Sequence, residues 1–240
     1  MRLSMRGSYG DCFAAVEGLA RVFLHLVVLV AAGCLVLGGS ARAQPSAAEN
    51  GKPIKIVVLG DSLSAGLGLP AAAAFPDQLQ LALKDKGIEV DVSNAGVSGD
   101  TSSGGLGRLD WSVPEGTEAV ILELGANDAL RGLDPEITRS ALGEIIKRLQ
   151  ARNIAVLLCG MLAPPNYGAD YASRFNAIYP ALAGQYQVPL YPFFLDGVAA
   201  DAALNQADGM HPTAAGVERI VERILPTVEA FLAPLRVKRS

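Results

Sequence analysis

The sequence is poor in cysteine. Of Cys12, Cys34 and Cys159, only the last lies outside the N-terminal segment. One cysteine cannot close an internal disulfide, so no disulfide framework organises the fold. Cys159 ends the apolar run Ile154 to Cys159 and reads as a buried, inert strand residue. Positive charge is also short. The net charge is -4, which offers no basic footprint for nucleic acid. Repeats and low-complexity tracts are lacking. No glycine-rich run able to cradle phosphates follows the first apolar strand, which disfavours a nucleotide-binding protein. Histidine is scarcest: there are two, and His25 sits in the N-terminal apolar segment, so His211 stands alone in the remainder.

That N-terminal segment is nearly all apolar from Val22 to Gly39, preceded by Arg21 and followed by Ala41-Arg42-Ala43. A basic residue, an apolar core and a small-x-small site describe an export signal spanning residues 1–43, with cleavage after Ala43. Its length also suits an uncleaved membrane anchor, the main rival. Removing it takes away four arginines and two acids and shifts the net charge from -4 to -6. The polar, small-residue stretch 44–53 reads as a linker, and residues 54–235 as one domain. The expected protein is a periplasmic or secreted monomer with no membrane partner once cleaved.

Strand and helix patterns alternate along the domain. Apolar runs at Ile54–Leu59, Ile88–Val92, Ala119–Leu124, Ile154–Cys159 and Val188–Tyr191 predict five strands. Helices are predicted at Phe75–Lys86, about 101–110, Pro135–Arg152, Asp170–Tyr186 and Thr213–Leu232. Pro180 should kink or split the fourth. Phe193 to Gly209 reads as irregular. The alternation argues for an α/β fold, a parallel sheet with helices on both faces. The expected strand order is the flavodoxin-like 2-1-3-4-5, which opens a crevice between the carboxyl ends of strands one and three.

Ile54 to Gly66 reads I-K-I-V-V-L-G-D-S-L-S-A-G: a strand, a sharp turn at Gly60, and a helix start at Ser62. The hydroxyl there faces the expected crevice as a candidate nucleophile, although Asp61 and Ser62 also suit plain helix capping. A serine nucleophile needs a base, and imidazole has the suitable pKa. Asp208, three residues before His211 in a turn ahead of the last helix, can reach the second ring nitrogen. Asn127, just after strand three, can donate its amide to a developing oxyanion, and the N–H groups of Ser62 and Gly99 can add two more donors.

Gly60-Asp61-Ser62-Leu63-Ser64, the loop glycine, Gly125-Ala126-Asn127-Asp128 and Asp208-Gly209-Met210-His211 fall in the order of the four blocks of the GDSL, or SGNH, hydrolases, and the chain resembles that family from Ile54 to the last helix. Within it the chain looks most like the bacterial thioesterase I, arylesterase and lysophospholipase L1 group. Ser98-Gly99-Asp100-Thr101-Ser102, Pro164-Pro165-Asn166-Tyr167-Gly168 and the run from Val188 to Phe194 carry that similarity. The resemblance implies a three-layer flavodoxin-like fold, no metal and no cofactor. Ser62 would be the nucleophile, His211 the base and Asp208 its orienter, with Ser62 N–H, Gly99 N–H and Asn127 as the oxyanion hole. Gly96 competes for the loop-glycine role, and Asp61 would support the turn. The expected activity is hydrolysis of small acyl esters and thioesters through an acyl-enzyme. Alternatives are a carbohydrate O-deacetylase of the same family and a non-catalytic lipid-binding module. Leu130, Leu133, Met161 and Leu162 are candidates for an acyl groove, which favours acyl chains over acetyl sugars.

Overall fold

The computed structural model describes residues 52–237. The export signal, Cys12, Cys34 and most of the linker lie outside them. The sheet is built around β1 (Ile54–Gly60), which pairs in parallel with β2 (Val90–Gly96) on one side and β3 (Ala119–Glu123) on the other. Beyond β3 follow β4 (Ala155–Cys159) and the two-residue β5 (Leu190–Tyr191). The order is β2-β1-β3-β4-β5, the flavodoxin-like order expected from the alternation. Every residue of β3 is buried, and so is all of β1 except Lys55. A parallel strand covered on both faces requires such a continuous apolar run.

Two helical layers cover the sheet. In one, α2 (Phe75–Asp85) packs on the long C-terminal helix α9 (Ala214–Val237). In the other, α3 (Ser102–Gly107), α6 (Pro135–Ala151) and α8 (Ile178–Tyr186) pack together. Asp134 caps α6 by accepting from Glu136 N–H, and Pro135 occupies the first turn, where a missing N–H costs nothing.

Several boundaries differ from the sequence expectation. The second strand begins two residues late and runs on to Gly96, through Ser93 and Asn94, which read as loop. As an edge strand it tolerates exposed polar residues, and its pairing with β1 continues to Gly60↔Gly96. The helix expected over 101–110 is two short helices, α3 and α4 (Leu109–Ser112), broken at Arg108, whose side chain turns into the core. The helix expected over 170–186 divides at Ala177 into α7 (Gly168–Asn176) and α8. Pro180 thereby falls in the first turn of α8, where it needs no hydrogen-bond partner. Cys159 is free and buried at the end of β4, as expected, and burial pushes its thiol well above the ordinary value.

Candidate active site

At the carboxyl end of β1 the chain turns straight into the one-turn helix α1 (Ser62–Ala65). Asp61 caps it, its Oδ1 accepting from Leu63 N–H at 3.0 Å. Ser62 therefore stands at a helix start, and neither its N–H nor that of Gly99 donates to any of the described residues. The Ser62 hydroxyl opens onto the crevice between β1 and β3, at the switch point of the strand order.

His211 arrives from the other end of the chain, on the turn before α9. Its Nε2 lies 2.9 Å from Ser62 Oγ. Its Nδ1 lies 2.7 Å from Asp208 Oδ2. The other carboxylate oxygen, Asp208 Oδ1, accepts from Met210 N–H at 2.9 Å and His211 N–H at 3.0 Å. These backbone bonds, with the imidazole contact, hold the Asp208 carboxyl down at about 2. The turn is tied to the domain by the Asn205–Pro212 bridge and by Gln206, which donates to the carbonyls of Leu67 and Pro212.

Asn127 enters from the short helix α5 (Ala126–Leu130) after β3. Its side-chain N–H groups are both engaged, one with Asp61 Oδ2 at 3.0 Å and one with the Asp100 carbonyl at 2.9 Å. The two loop glycines differ sharply. Gly96 donates its N–H to Asn94 Oδ1 at 2.9 Å and its Cα lies against the backbone of Ala65 and Asp61. Gly99 has an N–H that donates to none of the described residues and a φ of +83°, and a Cβ there would meet only Arg131 Nη2, at 3.7 Å.

A cavity of about 320 Å³ runs from Ser62 and His211. Leu130, Met161 and Leu162 are among the residues that line it. Leu133 is not. The chain reverses at Gly132, in the left-handed region with φ +61°, and Leu133 lies past that turn, its carbonyl accepting from Tyr171 Oη. Further lining comes from the segment read only as irregular, with Phe193, Leu195, Ala199 and Ala200, and from Met210 just after it. No periodicity marked these residues, because turns bring them together.

Three buried polar groups beneath the site carried no expectation as supports. Glu123 Oε2 accepts from Ser64 Oγ at 2.7 Å and, more weakly, from Asp61 N–H at 3.4 Å, while Oε1 has no partner among the described residues. Burial first, then the Asp61 charge, pushes Glu123 well above the ordinary carboxylate range. Burial likewise raises Asp61 to about 6, against the bonds from Leu63 and Asn127 that favour its charge. Asp128 accepts from Ser102 N–H, Ser102 Oγ and Thr138 Oγ1, joining the end of β3 to the glycine loop and α6. Arg108 spans Asp100, Ser112 and the carbonyls of Gly60 and Ala95. Asp128 was visible in its motif; nothing in the sequence singles out Arg108.

Residues 58–219 match the GDSL-like lipase/acylhydrolase family. The esterase TesA of Pseudomonas aeruginosa is 40% identical over 205 residues, 85% of this chain and 98% of that protein. The thioesterase 1/protease 1/lysophospholipase L1 of Escherichia coli is 42% identical over 158 residues, 65% of this chain and 74% of that protein. Among solved structures, the SGNH-hydrolase family esterase AlinE4 superposes with a TM-score of 0.64 at 46% identity, over 76% of this chain and 98% of that one. The five-stranded sheet, the match across most of the domain and a relative aligned over nearly its full length agree: this chain belongs to the GDSL-like lipase/acylhydrolase family.

Proposed function

We propose that Ser62, His211 and Asp208 form the catalytic triad with which this ester hydrolase cleaves acyl esters and thioesters. The observation that carries the reading is the continuous run of short contacts from Ser62 Oγ through both ring nitrogens of His211 to Asp208, at the mouth of the acyl-sized cavity. His211 Nε2 takes the Ser62 proton as Oγ attacks the substrate carbonyl. Asp208 fixes the tautomer and stabilises the imidazolium, without taking the proton. The oxyanion is met by the N–H groups of Ser62 and Gly99. Asn127 joins them by exchanging its bond to the neutral Asp100 carbonyl for the charged oxygen, a stronger acceptor. The imidazolium then protonates the leaving alcohol or thiol, and water, deprotonated by His211, cleaves the acyl-enzyme.

The bond of Gly96 N–H to Asn94, against the free N–H of Gly99, favours Gly99 as the loop donor. The apolar wall of Leu130, Met161, Leu162, Phe193 and Leu195 suits an acyl chain better than an acetylated sugar, whose hydroxyls would find few partners there. The signal-like segment at residues 1–43 supports export to the periplasm or beyond. Intact mass and peptide mapping of the full chain after fluorophosphonate treatment test the mechanism. One adduct on Ser62, with parallel loss of p-nitrophenyl ester hydrolysis, is expected. Hydrolysis undiminished in Ser62→Ala would overturn the assignment.

A further inference from the structure

The geometry points to Arg131 as a positioning residue for the oxyanion site, acting through the backbone of Gly99. This inference rests on the triad reading and adds a part to it. Gly99 lies on a loop and holds φ at +83°. Glycine populates positive and negative φ about equally, so nothing intrinsic to the residue keeps its N–H aimed at one place. The neighbours must supply that constraint.

They act on the peptide that follows Gly99. Its carbonyl accepts from Arg131 Nη2 at 2.7 Å. Its N–H, that of Asp100, donates to the Val97 carbonyl at 3.1 Å. With both ends of that peptide held, the remaining freedom of the glycine is small and its own N–H keeps its direction. Two further contacts hold the next residue: Asn127 on the Asp100 carbonyl and Arg108 on the Asp100 carboxylate. If Asn127 leaves the Asp100 carbonyl for the oxyanion, as the mechanism requires, the loop loses one tether at the moment its geometry matters most. The Arg131 bond does not depend on that exchange. Arg131, the residue that follows α5, also ties that helix end to the glycine loop after β2.

Arg108 is buried and its removal would disturb packing, which confounds a test. Arg131 is exposed, and its hydrogen bond is to a single carbonyl, so its loss should barely change stability while it loosens the donor. Loss of an oxyanion donor outright costs about 10²–10³ in kcat, and a donor left in place but mobile should cost about tenfold.

The test uses Arg131→Ala and Arg131→Lys in the full chain, with kcat normalised to the fraction titrated by fluorophosphonate. On a neutral p-nitrophenyl acyl ester, the alanine variant should lose about tenfold in kcat with KM and Tm nearly unchanged. Affinity for a trifluoromethyl ketone, whose adduct carries an oxyanion, should fall by the same factor. Lysine, which can still donate to the carbonyl, should recover part of both. A normalised kcat equal to wild type overturns the inference. So does a defect seen only as raised KM for substrates bearing phosphate or carboxylate, which would make Arg131 an anion contact. Ser62→Ala is run alongside: if it stays active, the triad reading itself fails, whereas an inactive Ser62→Ala beside a fully active Arg131→Ala removes only the role given to Arg131.

Discussion

Replacing Glu123 with glutamine should remove part of a stability loss that the wild-type protein suffers as pH rises. Glu123 is fully buried, shares its surroundings with the buried Asp61, and has one carboxyl oxygen without a partner among the described residues. Its pKa in the fold is raised, by burial first and by the Asp61 charge second. The fold therefore keeps a proton that the unfolded chain releases above about pH 4.3, and stability falls with pH over that window, by about 1.4 kcal/mol per unit for each such group. Asp61 behaves alike. Its shift from 3.8 to about 6 costs about 3 kcal/mol, fully present above about pH 6 and absent below its unfolded value. Glutamine keeps an acceptor for Ser64 Oγ and Asp61 N–H and cannot ionise. Its new amide N–H group, at the unpartnered position, adds a penalty that does not vary with pH. The slope is therefore the quantity to compare. Urea unfolding at a series of pH values from about 4 to about 8 should show the two proteins' curves diverging as pH rises, in favour of Glu123→Gln, with m unchanged. Parallel curves would refute the claim that Glu123 holds its proton in the fold.

The other expectations concern the site. Asp208→Asn should lower kcat by about 10⁴ at neutral pH, because the amide cannot hold the required tautomer; and since the wild-type carboxyl is held at about 2, NMR titration should show it still ionised at about pH 4. The two loop glycines should separate cleanly. Gly96→Ala pushes a methyl into the Ala65 backbone and should lower Tm, whereas Gly99→Ala meets nothing closer than Arg131 at 3.7 Å but must leave its positive φ, and should act mainly on kcat. Leu162→Ala should raise KM for medium-chain p-nitrophenyl esters by about three- to tenfold and leave the acetyl ester unchanged; equal effects on both would remove Leu162 from the acyl groove.

Sequence alone was enough for whatever depends on local pattern. Apolar runs alternating with amphipathic stretches specify strands and helices, and their alternation specifies a parallel sheet. Gly60-Asp61-Ser62 shows a strand turning into a helix start, and His211, the one histidine after residue 43, follows Asp208 by three residues, a spacing that suits the base and orienter proposed for it. What it could not supply depends on where separate segments meet. The end of β2 is set by pairing with β1, so polar residues read as loop became strand. The break at Arg108 follows from a buried guanidinium that bonds to four groups from different parts of the chain. Seven of the seventeen residues lining the cavity come from the stretch between Phe193 and Met210, which has no period to read. Leu133, three residues beyond Leu130, is lost from that wall because one glycine reverses the chain between them. The bond of Arg131 to Gly99 links residues 32 positions apart. Local preferences are written in neighbouring residues and survive in a linear reading; burial, desolvation and loop-to-loop hydrogen bonds exist only once the chain has closed on itself.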